Sequence, residues 1–414
     1  MVYRAAVGAL MSCLAMGVHA QARLLTFDEA LRRAEDVAPP VSAAQAQLAA
    51  GEAELKEANA LLWSNPVLSA NLTHRRIPQV GLSDARASEW AFGIAQAFET
   101  GGQSAHRRAV ASAVREALAY AVAEAKRRLR AEVSQRFFRT LALQQRVQIE
   151  REAQRIAEEA SSLVAKRVAA GEDSRLDGNL ARIEAERARN QAAAAREAHM
   201  QARAELAAIL QLPLDALPEL AGELAPPAPA AREAALEGLS RRPDLLALER
   251  RVAAARERVQ LERAARAPDL TLGVVGGREQ PSQTFTTLAI SVPLPIYKRN
   301  DAAIGRAVAE LTQAELELRA AQSGARAELA GLLDRYATLE ERVRRLATEV
   351  LPAVEENLRL SRRAREAGEI AVPQLLLVMR QAVEARRELL EAQTEQRLVA
   401  TAIEAVAARQ HSSP

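Results

Sequence analysis

The sequence predicts a mainly α protein with a small β part, made by duplicating one unit: helix, helix, strand hairpin, long helix, long helix. Three observations carry that expectation. The 414 residues are 49% hydrophobic but only 3% aromatic, and their 56 basic and 53 acidic side chains are intermixed; long amphipathic helices have this composition, aromatic-rich catalytic cores do not. Glycine interrupts two long helical stretches at corresponding places, Gly171 after VAKRVAA and Gly368 after SRRAREA, 197 positions apart. Four short segments with a period of two lie at matched points ahead of those stretches, where everything around them has the helical period.

The chain opens with a targeting segment. Arg4 gives a positive start, Ala5 to Gly17 an uncharged apolar stretch, and Val18-His19-Ala20 a small-x-small cleavage site, so residues 1–20 read as an export signal. The one cysteine, Cys13, follows Leu10-Met11-Ser12 in a loose imitation of a lipoprotein box; the site just downstream makes it an ordinary member of the apolar stretch. A single cysteine excludes an intrachain disulfide, and none of the five histidines lies at helical ligand spacing from another. No cofactor and no metal site is expected. The net charge of +3 is spread over alternating signs, which gives no basic face for a phosphate backbone, so nucleic acid is not an expected partner.

A first repeat is expected over residues 21–211. Thr26 with Glu29 forms a capping box, and helices follow from Thr26 to Asp36 and from Pro40 to Trp63. Strands are expected over about 66–74 and 88–98. Between Gly102 and Gly171 there is no proline, and a helix of roughly 70 residues would reach about 100 Å. Residues 212–230 hold Pro213, Pro218, Pro226, Pro227 and Pro229, an irregular crossover. The second repeat, 231–408, starts with AAREAALEGLSRR, repeats the proline before its first strand (Pro268 for Pro66), and places strands at about 269–277 and 284–293. Its long helix runs from Asn300 to Ala367 with only Pro352 to disturb it, and residues 409–414 are a tail.

Helices this long must pack side by side. Leu329, Leu332, Tyr336, Leu339, Val343, Leu346 and Val350 alternate spacings of three and four, a heptad seam; Val354 and Leu358 continue it at four and four, a stutter that locally unwinds the supercoil. Charges such as Glu124, Arg127, Arg128, Arg130 and Glu132 fit solvated faces and interhelical pairs.

The four strand segments each have an apolar face: Leu68, Ala70, Leu72 in the first; Trp90, Phe92, Ile94, Phe98 in the second; Leu270, Leu272, Val274 in the third; Leu288, Ile290, Val292 in the fourth. Their lengths approach the ~9 to 11 residues of a tilted membrane strand. Four strands cannot close a barrel, and open edges are excluded from hydrocarbon. Two chains would give eight strands with no room for water, so three or more chains must share a barrel if the strands enter a membrane.

With its export signal, its duplication, the starter LLTFDEALRRA, a proline-led second helix and the A-G-E-x-S-x-x-D turn at Gly171, the chain resembles the TolC-type outer-membrane factors from about Leu24 to Ala408. The resemblance implies a homotrimer, with a 12-stranded β-barrel in outer-membrane lipid continued by a 12-helix α-barrel through the periplasm. It also implies two partners, a periplasmic adaptor protein and an inner-membrane pump. The modest length and the absence of an acylated mature cysteine or long C-terminal tail resemble the subgroup serving cobalt, zinc and cadmium resistance pumps of the resistance-nodulation-division type. Drug efflux or type I protein secretion is the alternative cargo, and a soluble periplasmic coiled-coil scaffold the alternative class.

In that family the gate lies at the periplasmic tips, which correspond here to Gly171-Glu172-Asp173-Ser174 and Gly368-Glu369-Ile370-Ala371. The family's aspartate ring stands six residues after the second glycine; this chain has Gln374 there and Leu377 beyond, while the first half has Asp177 at the equivalent offset. The gate candidates are therefore Glu172, Asp173, Asp177, Glu369 and Gln374, with Gly171 and Gly368 as tip turns and adaptor docking points. Asp177 fits equally well as a helix cap after Ser174, and Asp173 and Glu369 as solvated turn residues. A ring of Asp173 and Asp177 from three chains would favour cations. The sequence has no phosphate loop, nucleophile elbow or H-E-x-x-H, and a passive conduit rather than an enzyme is expected.

Overall fold

The computed structural model describes residues 24–78, 85–227, 231–279 and 283–407. The expected export signal with Cys13 and the tail 409–414 lie outside the described residues. Helices α1 (Phe27–Val37) and α2 (Pro39–Ala58) precede strands β1 (Val67–Ile77) and β2 (Ala85–Phe98), then α3 (Gln103–Ala169) and α4 (Arg175–Ile209). The order repeats as α5 (Arg232–Gly238), α6 (Pro243–Ala264), β3 (Leu270–Glu279), β4 (Gln283–Ser291), α7 (Asp301–Arg345), α8 (Leu351–Glu366) and α9 (Val372–Val406).

The Thr26 box caps α1 as expected, with both reciprocal hydrogen bonds present. Helix α2 is shorter than its apolar pattern suggested: it ends at Ala58, and Asn59 bonds its side chain back onto the Leu55 carbonyl. The residues beyond, Leu61 and Trp63, are exposed. The crossover contains one 3-10 turn, Leu214–Ala216, and is otherwise irregular as far as it is described. It is tied down by Leu25, whose N–H donates to the Glu219 carbonyl while its own carbonyl accepts from Ala221 N. Leu217, Leu220 and Leu224 thereby seal a core around Phe137, Leu206 and Leu210.

At 67 residues, α3 is about 100 Å long. Its counterpart is one helical path with a single π turn, Leu346–Val350, which ends two positions before Pro352. Proline has no N–H and crowds the preceding turn, and a π turn relieves that by inserting one residue. The insertion also corrects the expected stutter. Leu329, Tyr336, Leu339 and Leu346 are buried, Val350 is turned out, and the seam resumes at Leu351, Val354 and Leu358.

Across the halves the helices are joined by a buried ion cluster. Glu150 on α3 is 1% exposed and accepts from Arg387 on α9 (2.6 Å) and from Arg146 (2.5 Å). Burial alone would raise its carboxyl, but the hydrogen bonds and charges of the two arginines outweigh burial and hold it below the ordinary glutamate value. A carboxyl depressed in the folded state stabilises the fold fully above its unfolded pKa, and that contribution is lost as pH falls through the folded one. The melting-temperature difference between wild type and Glu150→Gln is therefore expected to be constant at neutral pH and to shrink progressively below about pH 4.3.

Candidate functional site

The four strands form one antiparallel sheet in the order β1-β2-β3-β4. Residues directly opposite share a face, and the register places Leu68, Ile94, Val274 and Leu288 in one row across all four strands. Leu272 and Ile290 stand opposite each other in the next row on that face, and Phe92 and Trp90 continue it toward the β1–β2 connection. This face is open: Leu68 is 77% exposed, Leu288 79% and Ile290 72%. From Phe98 to Trp90 is eight steps, about 27 Å along a strand and about 20 Å at the tilt of a membrane barrel.

The opposite face mixes small, polar and larger residues. It carries Ser69, Gly93, Val275 and Thr287 in one row and Asn71, Ala91, Gly277 and Phe285 in the next. A Cβ on Gly93 would come within 2.9 Å of both Ser69 Oγ and Val275 Cγ2. Toward the β1–β2 connection this inner face also holds Arg75, paired with Glu89 at 3.2 Å.

At the opposite end of the molecule α3 turns into α4 and α8 into α9. Both turns have the same backbone. Gly171 has φ +78° and Gly368 +75°; Glu172 N donates to the Arg167 carbonyl and Glu369 N to that of Ala364, closing the six-residue loop of a left-handed helix ending. The tips pack on each other through Val164, Leu358, Val372 and Leu375, with Val168 and Ile370 at the margin.

The candidate gate residues do not behave alike. Asp177 caps α4: its N–H donates to Ser174 Oγ (3.1 Å) and its carboxylate accepts from Ser174 N and Oγ. Asp173 is not the solvated turn residue expected. Its side chain is 8% exposed and is clamped by Arg365 of the other tip, equally buried, with Arg167 at 3.3 Å. Arg365 also donates to the Ile370 carbonyl (3.0 Å). The expected set of lumenal carboxylates at Asp173 and Asp177 is thus engaged within the protomer. Glu172 lies 3.5 Å from Arg167; Glu369, Gln374 and Leu377 are exposed.

Arg365 and Arg167 were missed in the sequence, yet a signal was there. At the offset of the two glycines, Arg365 corresponds to Val168 and Asp173 to Ile370. Val168 and Ile370 are apolar and both border the buried cluster, whereas Arg365 and Asp173 form an ion pair, so the duplication is broken at both positions together. Arg380 on α9 makes a further link, a two-pronged pair with Glu184 on α4. Among the described residues no group of three or more potential ligands could hold a metal ion, and no helix is long and apolar enough to cross a membrane.

The sequence pattern of the outer membrane efflux protein family matches residues 30–211 and again 236–409. The chain belongs to the outer membrane efflux protein family. As in that family, its place is the outer membrane, with the helices in the periplasm, and its role is that of an efflux duct. Membership removes the soluble scaffold as a reading. Among the family's curated members, the cobalt-zinc-cadmium resistance protein CzcC of Cupriavidus metallidurans is 26% identical over 283 residues, 68% of either chain. Among solved structures, a membrane protein from Pseudomonas aeruginosa superposes with a TM-score of 0.80 at 21% identity, covering 92% of each chain. The channel CusC superposes at 0.77 with 18% identity, covering 92% of this chain and 91% of its own. At such identities the two superpositions establish the fold.

Proposed function

We propose that three copies of this chain form the outer-membrane exit duct of a tripartite efflux system, passing heavy-metal cations delivered by an inner-membrane pump through a periplasmic adaptor. The observation that carries the trimer is the open sheet. With the order β1-β2-β3-β4, β1 and β4 each leave one edge without a strand partner among the described residues, while the outward face carries an exposed apolar band from Phe98 to Trp90. Such edges are not tolerated in hydrocarbon, where each unpaired backbone group costs several kcal/mol, so β4 of one copy pairs with β1 of the next. Three copies give twelve strands, a ring wide enough for water. The relative that confers cobalt, zinc and cadmium resistance supports metal cations as cargo. Catalysis is no part of this reading.

The chain's one cysteine lies at position 13, so engineered cysteines report cleanly. Single cysteines placed along β1 at Ser69, Asn71 or Thr73, combined in turn with one at Thr287 or Ser291 on β4, are expected to give oxidised dimers and trimers on denaturing gels for at least one register. Monomer alone for all combinations would refute the shared barrel. Cargo is tested separately, by supplying the gene to cells that hold a matching pump and adaptor but no duct and measuring cobalt, zinc and cadmium tolerance.

At the tips, Asp173–Arg365 is the tie that holds one helical turn against the other, and Asp177 serves as a cap. Asp177→Ala is expected to lower the melting temperature by the equivalent of about 1 kcal/mol and to leave single-channel conductance unchanged. A conductance change would place Asp177 in the lumen instead.

A further inference from the structure

Exposed apolar residues continue past the sheet on its helix side, at the two flanks of the chain. Beyond β4, a strap from Val292 to Arg299 has neither helix nor strand and is exposed throughout, with Leu294 and Ile296 bare and Tyr297 96% exposed. Ahead of β1, Leu61 is 97% exposed. Contiguous exposed apolar residues mark contact surfaces. Below the sheet α2 packs on α3, α3 on α6 and α6 on α7, in the order of the strands they adjoin, so α2 and α7 end the row of helices as β1 and β4 end the sheet. The strand registers, extended into the connections, set Asn59 opposite Gln103, Gln103 opposite Ala265, and Ala265 opposite Tyr297. The end of α2 and the strap before α7 therefore stand at one level on opposite flanks.

The two flanks are complementary in charge. On α2, Glu54 and Glu57 are exposed, with Lys56 between them, and neither acid forms an ion pair among the described residues. At the other flank Lys298, Arg299 and Arg306 are likewise exposed and without an ion pair, while Asp301 beside them is already held by Arg266. Both terminal helices also have a second face. Helix α2 buries Val41 and Gly51, where a Cβ on Gly51 would come within 2.5 Å of Leu118 Cδ1 on α3, and turns Ala46, Ala50 and Ala53 outward. Helix α7 leaves Gly305, Ala309 and Leu316 exposed, and a Cβ on Gly305 would meet nothing within 4 Å. Small residues let helix backbones approach closely. An acidic flank and a basic flank on opposite sides of one chain fit each other head to tail, the arrangement that closes into rings. A lipid surface would suit the strap alone and would leave Glu54 and Glu57 unmatched.

We propose that the strap and the start of α7 of one copy dock on the end of α2 of the next, with Tyr297 over Leu61 and with Glu54 and Glu57 meeting Lys298, Arg299 and Arg306. This rests on β4 of one copy pairing with β1 of the next, and it extends the contact between copies from the sheet onto the helices. Two copies with different tags are expressed together, one carrying Leu61→Cys and the other Tyr297→Cys, and treated with a short bis-maleimide. A covalent dimer holding both tags is expected, and none when either copy lacks its new cysteine. E54K and E57K together in the first copy should slow the link about fivefold, the equivalent of ~1 kcal/mol for exposed ion pairs. K298E with R306E in the second copy should then restore it. Absence of the doubly tagged dimer while cysteines on β1 and β4 still join the copies would overturn this inference alone and assign the strap to lipid or to another protein. A link that forms but is indifferent to E54K and E57K would overturn the charge match that selects a second copy. Loss of both kinds of link would remove the strand pairing, and this inference with it.

Discussion

Arg365→Ala is expected to open the tip. Arg365 and Asp173 are each 8% exposed in side chain and pair across the two helical turns, so removing the arginine leaves a buried carboxylate held only by Arg167 at 3.3 Å. Breaking one side of a buried pair costs about 3 kcal/mol or more, and the Arg365 hydrogen bond to the Ile370 carbonyl is lost with it. The loss falls on the contact between α3–α4 and α8–α9, so single-channel conductance is expected to rise while the sheet stays folded. Asp173→Asn, which leaves Arg365 buried without its counter-ion, should act in the same direction. The apolar counterpart is the control: Val168→Ala trims a partly buried side chain in the same cluster and should lower stability with a smaller effect on conductance. A variant Arg365→Ala with wild-type conductance would show that the tips are not tied here.

Leu288→Arg is expected to block assembly in the outer membrane. Leu288 ends the row Leu68, Ile94, Val274, Leu288, and is 79% exposed on the protomer. In a water-soluble protein an arginine there would be nearly neutral, whereas near the middle of a bilayer it costs about 2–4 kcal/mol per copy. The inner-face neighbour Thr287 provides the contrast, since Thr287→Arg places the same charge on the face opposite the apolar row. Outer-membrane fractions should be depleted of the first variant and retain the second. Equal recovery of both would mean that the apolar row does not meet lipid.

Much of this architecture was legible because it is local. The capping boxes at Thr26 and Ser174, the glycine turns at Gly171 and Gly368, and the period-two faces of the strands each depend on residues a few positions apart. The duplication then placed the pieces in order. What escaped was set by long-range contacts. Arg365 and Asp173 are 192 residues apart, and each alone is one more charge beside a turn. Glu150 and Arg387, 237 apart, look like members of a solvated stripe until α3 meets α9. The end of α2 at Ala58 was hidden because Leu61 and Trp63 continue its apolar character; they are exposed instead, beside the start of the sheet. The heptad seam is legible as far as Leu346, but periodicity alone does not distinguish a stutter from a π turn. Pro352 was the clue that the helix would insert a residue and bring Leu351, not Val350, back to the seam.

The central claim is that several copies complete one water-filled barrel from open four-stranded sheets. Its most direct test is the single-channel conductance of the purified protein in planar bilayers, measured together with its mass in detergent. The account predicts a trimer that produces discrete channels. A monomer or dimer that leaves the bilayer silent would contradict it.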